Sequence, residues 1–302
     1  MNRPSPGWVL AVSLLGISFA GPLVRLSNAD PLAIAAWRLC FSLVIVAVAL
    51  AVTGQWRDWA KLTARDTALA SCAGIALALH FWAWNASIHL TTIAASVTLV
   101  SLQPAVIVAI STIFLREAPN RRQLIGISIA LLGAMLIAAP AWRDSASAGG
   151  SNAMLGNMLA ASAAVTAGIY YTIGRHLRAT YGIWAYVALA YSACAIALFA
   201  MAGLTGTPLT PQPPRELAIF AGLAIGPMLL GHTGMNWALK YLPAYVVNLT
   251  VLGEPVGATL LGALIPAIAQ VPPLATLLGG VVVLAGVLVA AWNTVSTRRA
   301  AG

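Results

Sequence analysis

The sequence predicts an all-α membrane protein with ten transmembrane helices, arranged as two inverted five-helix repeats around a central cavity. Three observations lead to this prediction: charged residues are scarce, ten apolar runs have membrane-spanning length, and the two halves of the chain match each other. The polar residues that remain inside the apolar runs then indicate a pathway for a solute.

The scarcity of charge excludes a soluble fold. Of 302 residues, 60% are hydrophobic and only 8% are charged, whereas soluble domains have roughly 25% charged residues. Lipid is therefore the expected solvent. The formal net charge is +9, and the basic residues that produce it lie at predicted helix ends. We therefore interpret them as an orientation signal and expect no nucleic-acid partner. The three cysteines lie inside apolar runs and predict neither a metal site nor a disulfide framework.

Ten apolar runs are bounded by charge, proline or glycine, and each is close to the roughly 20 residues that a membrane helix needs. The predicted spans of the first half are Trp8–Leu26, Leu32–Thr53, Thr67–His89, Thr91–Leu115 and Gln123–Ala139. Those of the second half are Asn152–Gly174, Ile183–Leu204, Leu217–Leu239, Ala244–Ile265 and Leu274–Asn293. Only short loops remain, so we expect no soluble domain.

The basic residues orient these spans. If the N-terminus is cytoplasmic, twelve basic residues fall on that side: Arg3, Arg57, Lys61, Arg65, Arg116, Arg121, Arg122, Arg175, Arg178, Lys240, Arg298 and Arg299. Three fall on the other side, Arg25, Arg143 and Arg215, and Arg38 lies within a span. By the positive-inside rule, this bias predicts both termini in the cytoplasm of a bacterial-type inner membrane.

The two halves of the chain repeat each other. At an offset of 151 residues, Asn85 matches Asn236, and Gln103-Pro104 matches Glu254-Pro255; at an offset of 153, Gly126 and Gly133 match Gly279 and Gly286. We therefore predict two five-helix units, residues 1–145 and 146–302. Since five is odd, the second unit crosses the membrane in the opposite sense. Such inverted repeats are typical of transporters that work by alternating access.

Pro104 and Pro255 lie near the middle of matching spans. A proline inside a helix removes a backbone hydrogen bond and kinks or breaks the helix. In lipid, the freed backbone groups need protein or a wet cavity around them. We predict a hinge or gating role for both prolines, with a purely packing role as the alternative.

The motifs resemble those of EamA-type members of the drug/metabolite transporter superfamily, over nearly the whole chain. The similar stretches are Asp30-Pro31 with Trp37-Arg38-Leu39, Trp84-Asn85-Ala86, Ser101-Leu102-Gln103-Pro104, Leu115-Arg116-Glu117 and Leu252-Gly253-Glu254-Pro255 with Gly279-Gly280. Ile265-Pro266-Ala267-Ile268 lacks the acid that often closes the ninth span of the family. The resemblance implies export of small metabolites, such as amino acids or drugs, through a central cavity.

Two charged residues lie deep within predicted spans, Glu254 and Arg38. A charge there costs about 2.5–3.5 kcal/mol on insertion scales, so it needs compensation. We predict that Glu254 binds an amino or cationic group or carries a coupling proton; the alternative is that it caps the backbone exposed by Pro255 or pairs with a base. For Arg38 we weigh a bond to a substrate carboxylate against a structural partner or an anchor at the interface.

Uncharged polar and aromatic residues complete the candidate site. His80 and Trp84 are four residues apart and share a helix face, and His232 and Asn236 repeat that spacing. We predict that substrate-binding residues include His80, Trp84, Asn85, Gln103, Tyr170 and Asn236. Hydrogen bonds between packed helices are the competing interpretation, above all for the two asparagines.

These features predict a secondary transporter in preference to two other classes of protein. The sequence contains no glycine-rich loop that would bind the phosphates of ATP, so ATP drive is not indicated. It also contains no metalloprotease or nucleophile-elbow motif that would indicate an enzyme. A channel or a flippase for lipid-linked substrates on the same architecture is the alternative. The expected partners are a small-molecule substrate and the lipid bilayer, with proton coupling and either a monomer or a homodimer; no cofactor is expected.

Overall fold

A computed structural model describes residues 4–147, 151–268 and 274–291, and within them the regular structure is helical throughout. The main helices are α1 (Pro6–Leu26), α2 (Pro31–Thr53), α3 (Ala64–Leu90), α4 (in the pieces Ile93–Val100, Gln103–Ile110 and Ser111–Leu115), α5 (Arg121–Ser147), α6 (Ser151–Arg178), α7 (Ile183–Thr205), α8 (Pro214–Ala238), α9 (Ala244–Leu264) and α10 (Leu274–Ala291). Short 3-10 turns occupy Gln55–Lys61 and Leu249–Gly253.

Eight of these helices, α1 to α4 and α6 to α9, are long and apolar enough to cross a membrane, by length and composition. The predicted span Gln123–Ala139 lies within α5. The predicted span Leu274–Asn293 begins with α10, and its last two residues lie outside the described residues. Within α10, Leu277–Ala290 is a shorter apolar helix. The protein is therefore a multi-pass helical membrane protein. The count of ten spans stays a prediction.

Local sequence sets the helix ends. The Asp30 carboxylate accepts a hydrogen bond from the Leu32 amide at the start of α2, ahead of Pro31 at the first helical position. Thr63 and Asp66 form a capping box, which starts α3 three residues before the predicted Thr67 because the cap stabilises a polar first turn. Helices α2 and α7 both end at a left-handed glycine, Gly54 (φ 66°) and Gly206 (φ 68°).

The two predicted units are interleaved. Helix α1 packs against α8, α6 packs against α3, and α5 packs against α10. The last pair approaches closely at glycines: a Cβ atom built on Gly133 would lie 2.8 Å from the Gly279 carbonyl oxygen, and one on Gly126 would lie 2.7 Å from that of Gly286. Each glycine thus meets its own partner in the sequence repeat. This reciprocal pattern is typical of two elements related by a two-fold axis.

Helices α4 and α9 are discontinuous at matching places. In α4 the helix stops at Val100 and restarts at Gln103, with Pro104 in the first turn of the new piece. In α9 a 3-10 turn ends at Gly253 and the helix restarts at Glu254, followed by Pro255. The prolines were predicted inside helices; they instead begin new helical pieces, where proline's missing N–H costs no hydrogen bond.

Polar contacts tie the helices together at one end of the bundle, formed by the loops 54–63, 116–120, 179–182 and 239–243 and called the basic end. The Glu117 carboxylate accepts hydrogen bonds from Arg175, which also donates to the Leu239 carbonyl oxygen. The Asp58 carboxylate accepts from Lys61 and from the Gly182 amide, and these bonds, the first above all, hold its pKa below the usual range. The grouping of these loops agrees with the predicted distribution of basic residues.

At the opposite end of the bundle, one buried carboxylate accepts hydrogen bonds from three residues. Glu216 is buried and accepts hydrogen bonds from the Ser27 hydroxyl (2.5 Å), the Asn28 amide and Arg215. Arg25 donates to the Thr91 carbonyl oxygen at 2.8 Å, which joins the end of α1 to the start of α4. Both ends of the bundle are therefore held by buried or half-buried polar contacts.

Candidate functional site

A small cavity of about 30 Å³, with both polar and apolar side chains in its walls, lies in the middle of the bundle. Its walls come from α1, α2, α3, α4, α6, α8 and α9: Ile17, Ala20, Arg38, His80, Phe81, Trp84, Val100, Gln103, Tyr171, Pro227, His232, Met235, Val251 and Glu254. A cavity needs about 10–15 Å³ to hold one water, so this one has room for only two or three. The helices are therefore packed closely around the cavity.

Arg38 is the unusual residue of the cavity. Its side chain is fully buried, and none of its three guanidinium nitrogens has a hydrogen-bond partner among the residues that the structure describes. It does contact the face of Phe81, whose centroid lies 4.1 Å from the guanidinium carbon. A cation over an aromatic face gains about 2 kcal/mol in such surroundings, and the N–H groups remain without an acceptor in the described part of the chain.

Glu254 faces the same cavity from the start of the second piece of α9. It is 7% exposed and is the one carboxyl group among the cavity-lining residues. Arg38 and Glu254 interact electrostatically, yet no ion pair within 4 Å joins them. Arg38 and Glu254 thus line the same cavity without forming an ion pair.

Gln103 occupies the matching position on α4 and also lines the cavity. Its side-chain amide donates to the Asn248 side-chain oxygen of α9 at 2.8 Å, and the Ser101 hydroxyl donates to the Val251 carbonyl oxygen at 3.4 Å. The two discontinuous helices therefore touch each other beside the cavity, and Gln103 is held in place by a structural hydrogen bond.

Aromatic rings from α3 form one wall. His80 and Trp84 lie in parallel planes with ring centroids 6.5 Å apart. The Nδ1 atom of His80 lies 2.9 Å from the Ala163 carbonyl oxygen; since a carbonyl only accepts, Nδ1 carries the proton. Trp84 is 3% exposed, and its indole N–H has no acceptor within the described ranges. Together with Arg38, this wall offers hydrogen-bond donors that no described protein group uses.

The facing wall comes from α6 and α8. The Tyr171 hydroxyl lies 2.9 Å from Nδ1 of His232, and their rings are nearly parallel. Residues Ala224–Thr233 of α8, including Pro227, form a π-helix. Such widened turns are frequent at functional sites. His232 lies within the π-helix and Met235 just after it, and both line the cavity.

Of the residues predicted to bind substrate, the structure gathers five around the cavity: Arg38, His80, Trp84, Gln103 and Glu254. The other three lie in the packing around it. Asn85 donates to the Pro31 carbonyl oxygen, and Asn236 donates to the Tyr170 hydroxyl at 2.6 Å. This is the interhelical hydrogen bonding that the sequence left open as the alternative for both asparagines.

Phe81, Tyr171 and His232 line the cavity but were not among the predicted site residues. The sequence carried a signal for two of them, because Phe81 and His232 are themselves 151 residues apart.

A second base, Arg178, is also buried, although the sequence placed it with the loop residues. It lies at the end of α6 and donates to the carbonyl oxygens of Asn236 and Tyr181. Unlike Arg38, it is hydrogen-bonded and is not among the residues that line the central cavity. Its role is therefore structural, at the basic end of the bundle.

The fold and this cavity define a multi-pass helical membrane protein with a polar central site, and comparison with known proteins agrees. The sequence model of the EamA-like transporter family matches residues 7–139 and again residues 154–292. The chain belongs to the EamA-like transporter family. It is therefore a membrane transporter with a small-molecule substrate, as the resemblance of its motifs predicted.

Two similar proteins extend over nearly the whole chain. An uncharacterized transporter of Archaeoglobus fulgidus is 26% identical over 293 residues, covering 93% of this chain and 95% of that protein. A solved crystal structure is 16% identical, with a TM-score of 0.74 over 97% of this chain and 99% of the other. The second likeness concerns the fold alone.

Proposed function

We propose that this protein is a secondary transporter that exports a small zwitterionic metabolite, such as an amino acid, by alternating access. Its site is the central cavity, where Arg38 binds the carboxylate of the solute and Glu254 binds its amino group. The single observation that carries this proposal is the buried guanidinium of Arg38, which faces the cavity and has no hydrogen-bond partner among the described residues. A buried charge without a partner is costly, so a ligand that supplies the partner gains that energy.

The remaining groups of the cavity support a carboxylate at this place. The Trp84 indole N–H also lacks an acceptor within the described residues, and a carboxylate offers two oxygens with about four acceptor sites. Glu254 is the lining residue that accepts from an ammonium group. Phe81 and Tyr171 provide aromatic surface in the cavity wall for the rest of the solute.

Alternating access is supported by the pairing of the two predicted units. The crossing glycines of α5 and α10, the matching breaks in α4 and α9, and the two separate family matches all accord with two inverted repeats, residues 1–145 and 146–302. Discontinuous helices at a repeat interface are where transporters bind their substrates. Pro104 and Pro255 then act as hinges, because each restarts a helix beside the cavity.

The orientation and the driving force complete the proposal. We place the basic end in the cytoplasm, with both termini there, because the positive-inside rule favours that arrangement. The membrane is then the inner membrane of a bacterial-type cell. We assign a coupling proton to Glu254, since it is the carboxyl group that lines the cavity. A proton and an ammonium group then compete for the same oxygens.

A matched solute series tests the proposal on the purified protein. Thermal unfolding is measured with each amino acid, with the carboxamide of any amino acid that stabilises, with the same acid lacking its amino group, and with purely cationic amines. A ligand that binds only the folded state raises its stability, by about 2.7 kcal/mol at one hundred times the dissociation constant. We expect stabilisation by the intact amino acid and at least about tenfold weaker binding of both analogues.

The outcome separates the possibilities. Equal binding of the carboxamide would remove Arg38 from its assigned role, and equal binding of the deaminated acid would remove Glu254. Stabilisation by neither amino acids nor their analogues, with a hit among purely cationic amines, would replace the zwitterion by an organic cation.

A further inference from the structure

A second and larger cavity, of about 390 Å³, opens on the side of the bundle between α3, α4 and α6. It lies at the basic end and is separate from the central site. Its walls are largely apolar and include Leu69, Ile110, Phe114 and Ile169. We call this cavity the lateral crevice.

The crevice exists because α4 and α6 diverge. They are in close contact at Gly168, where an added Cβ atom would lie 2.8 Å from a Val106 methyl carbon. Beyond that point α4 continues as the π-helical turn Ser111–Leu115 and ends at Arg116, whose φ is 55°. Helix α6 runs on for more than two further turns to Arg178. The space between the two helices is therefore open to the surroundings of the protein.

The crevice is polar at one end and apolar at the other. Arg65 and His176 border it at the basic end, and both side chains are exposed. Along α6, His176 and Ile169 are seven residues apart, which corresponds to about 10 Å. A molecule that fills the crevice therefore meets basic groups at the level of the loops and hydrocarbon further in.

The charges at the mouth are available to a ligand. Arg65 forms no ion pair within 4 Å among the residues that the structure describes. The nearby acids are already used: Asp66 accepts hydrogen bonds from Thr63 and Tyr181, each at 2.7 Å, and Glu117 is paired with Arg175 at 2.6 Å. Asp66 also interacts electrostatically with His176, so Arg65 is the principal cation.

We propose that the lateral crevice binds an anionic phospholipid, with its phosphate at Arg65 and His176 and one acyl chain between α4 and α6. Basic pockets between transmembrane helices are suited to anionic headgroups, and the apolar length suits the start of an acyl chain. The inference depends on the membrane location alone and not on the solute carried in the central cavity. The Ile110 wall belongs to the piece of α4 that starts at Gln103, so the lipid also braces that piece.

The test compares lipid binding by the full-length protein and two variants. Native mass spectrometry of the detergent-solubilised protein is carried out with phosphatidylglycerol or phosphatidylcholine added. We expect one retained phosphatidylglycerol and at least about tenfold weaker binding of phosphatidylcholine. The double variant Arg65→Gln/His176→Gln should lose about tenfold in affinity for phosphatidylglycerol, since it removes the basic groups at the mouth of the crevice.

The test also includes a matched control and a variant in which a larger side chain fills the crevice. The control Arg57→Gln/Lys240→Gln also removes two basic groups at the same end, away from the crevice, and should bind within about twofold of the parent. Ile169→Trp keeps both basic groups but fills the apolar wall, and should also lose the lipid. Undiminished binding by either crevice variant would overturn the proposal, as would equal loss in the control. Equal retention of glycerol phosphate, which lacks acyl chains, in the same measurement would overturn the proposal and identify a soluble-anion site instead.

Discussion

The rings of Phe81 and His232, which are 151 residues apart, meet edge to face with centroids 5.2 Å apart. That separation equals the offset at which Asn85 matches Asn236 and Gln103 matches Glu254. Two positions that correspond in the two halves are therefore in direct contact beside the cavity. Contact between corresponding positions is what a two-fold relation between the halves requires at its axis.

Replacement of Arg38 by methionine separates ligand binding from folding. We expect Arg38→Met to raise the free energy of unfolding by about 1–3 kcal/mol, because an unpaired charge is removed from a membrane segment. Binding of carboxylate-bearing solutes should be lost at the same time. Thermal unfolding with and without amino acid measures both effects. A strong loss of stability without ligand would instead mean that Arg38 is a structural tie.

Replacement of Glu254 by glutamine keeps the shape of the side chain and removes its charge. We expect transport of the solute into proteoliposomes to fall by about 10–100-fold, because a charge-assisted hydrogen bond contributes about 1.5–3 kcal/mol. Stimulation by an imposed proton gradient should also disappear. Elution as a single species at the parent position checks the fold, and unchanged transport would remove Glu254 from the site.

The crossing of α5 and α10 should be intolerant of added volume. A methyl group at Gly133 would lie 2.5 Å from the Val283 backbone nitrogen, and backbone does not yield easily. We expect Gly133→Ala to destabilise the protein by about 1–3 kcal/mol. The matched control is Gly203→Ala on α7, where nothing lies within 4 Å; it should be neutral or stabilising by about 0.5–1 kcal/mol. Equal effects of the two changes would contradict the close crossing.

The contacts of Asp58 predict a dependence of stability on pH. Its pKa is lowered, first by the hydrogen bond from Lys61 and then by the Gly182 amide. A lowered pKa in the folded state stabilises the protein above the ordinary aspartate value of about 3.9, and this contribution disappears as the pH falls through the folded value. The difference in melting temperature between the parent and Asp58→Asn should therefore be constant above about pH 5 and should shrink below about pH 4. A difference that stays constant down to about pH 3 would show that Asp58 does not contribute through its charge.

Much of the site was predictable because its signals are local. Ionisable residues such as Arg38 and Glu254 are conspicuous within apolar runs, since a charge in hydrocarbon is costly and needs compensation. Pro104 and Pro255 mark the breaks in α4 and α9 because proline cannot donate a backbone hydrogen bond. What these signals do not contain is the direction in which each side chain points relative to the neighbouring helices.

Tyr170 and Tyr171 illustrate that limit. Adjacent residues on a helix point about 100° apart. We named Tyr170 as a site residue, although nothing in the Tyr170-Tyr171 pair favours one ring over the other. The structure places Tyr171 at the cavity and Tyr170 in a hydrogen bond to Asn236. His232 is a similar case, because it lies within the π-helix of α8, whose hydrogen-bond pattern differs from that of an α-helix.

From the sequence alone it follows that this protein is a helical membrane protein, where most of its helices lie, and that Arg38 and Glu254 are ionisable residues inside predicted spans. Those properties depend on hydropathy and on backbone chemistry, and both are read residue by residue. The packing of the helices shows in addition that Arg38 is buried without a hydrogen-bond partner in the described part of the chain, and that His80, Trp84, Tyr171, His232 and Glu254 share one small cavity. Partners and neighbours arise from the packing of seven helices, and no periodic pattern along one helix encodes how it is rotated against the others.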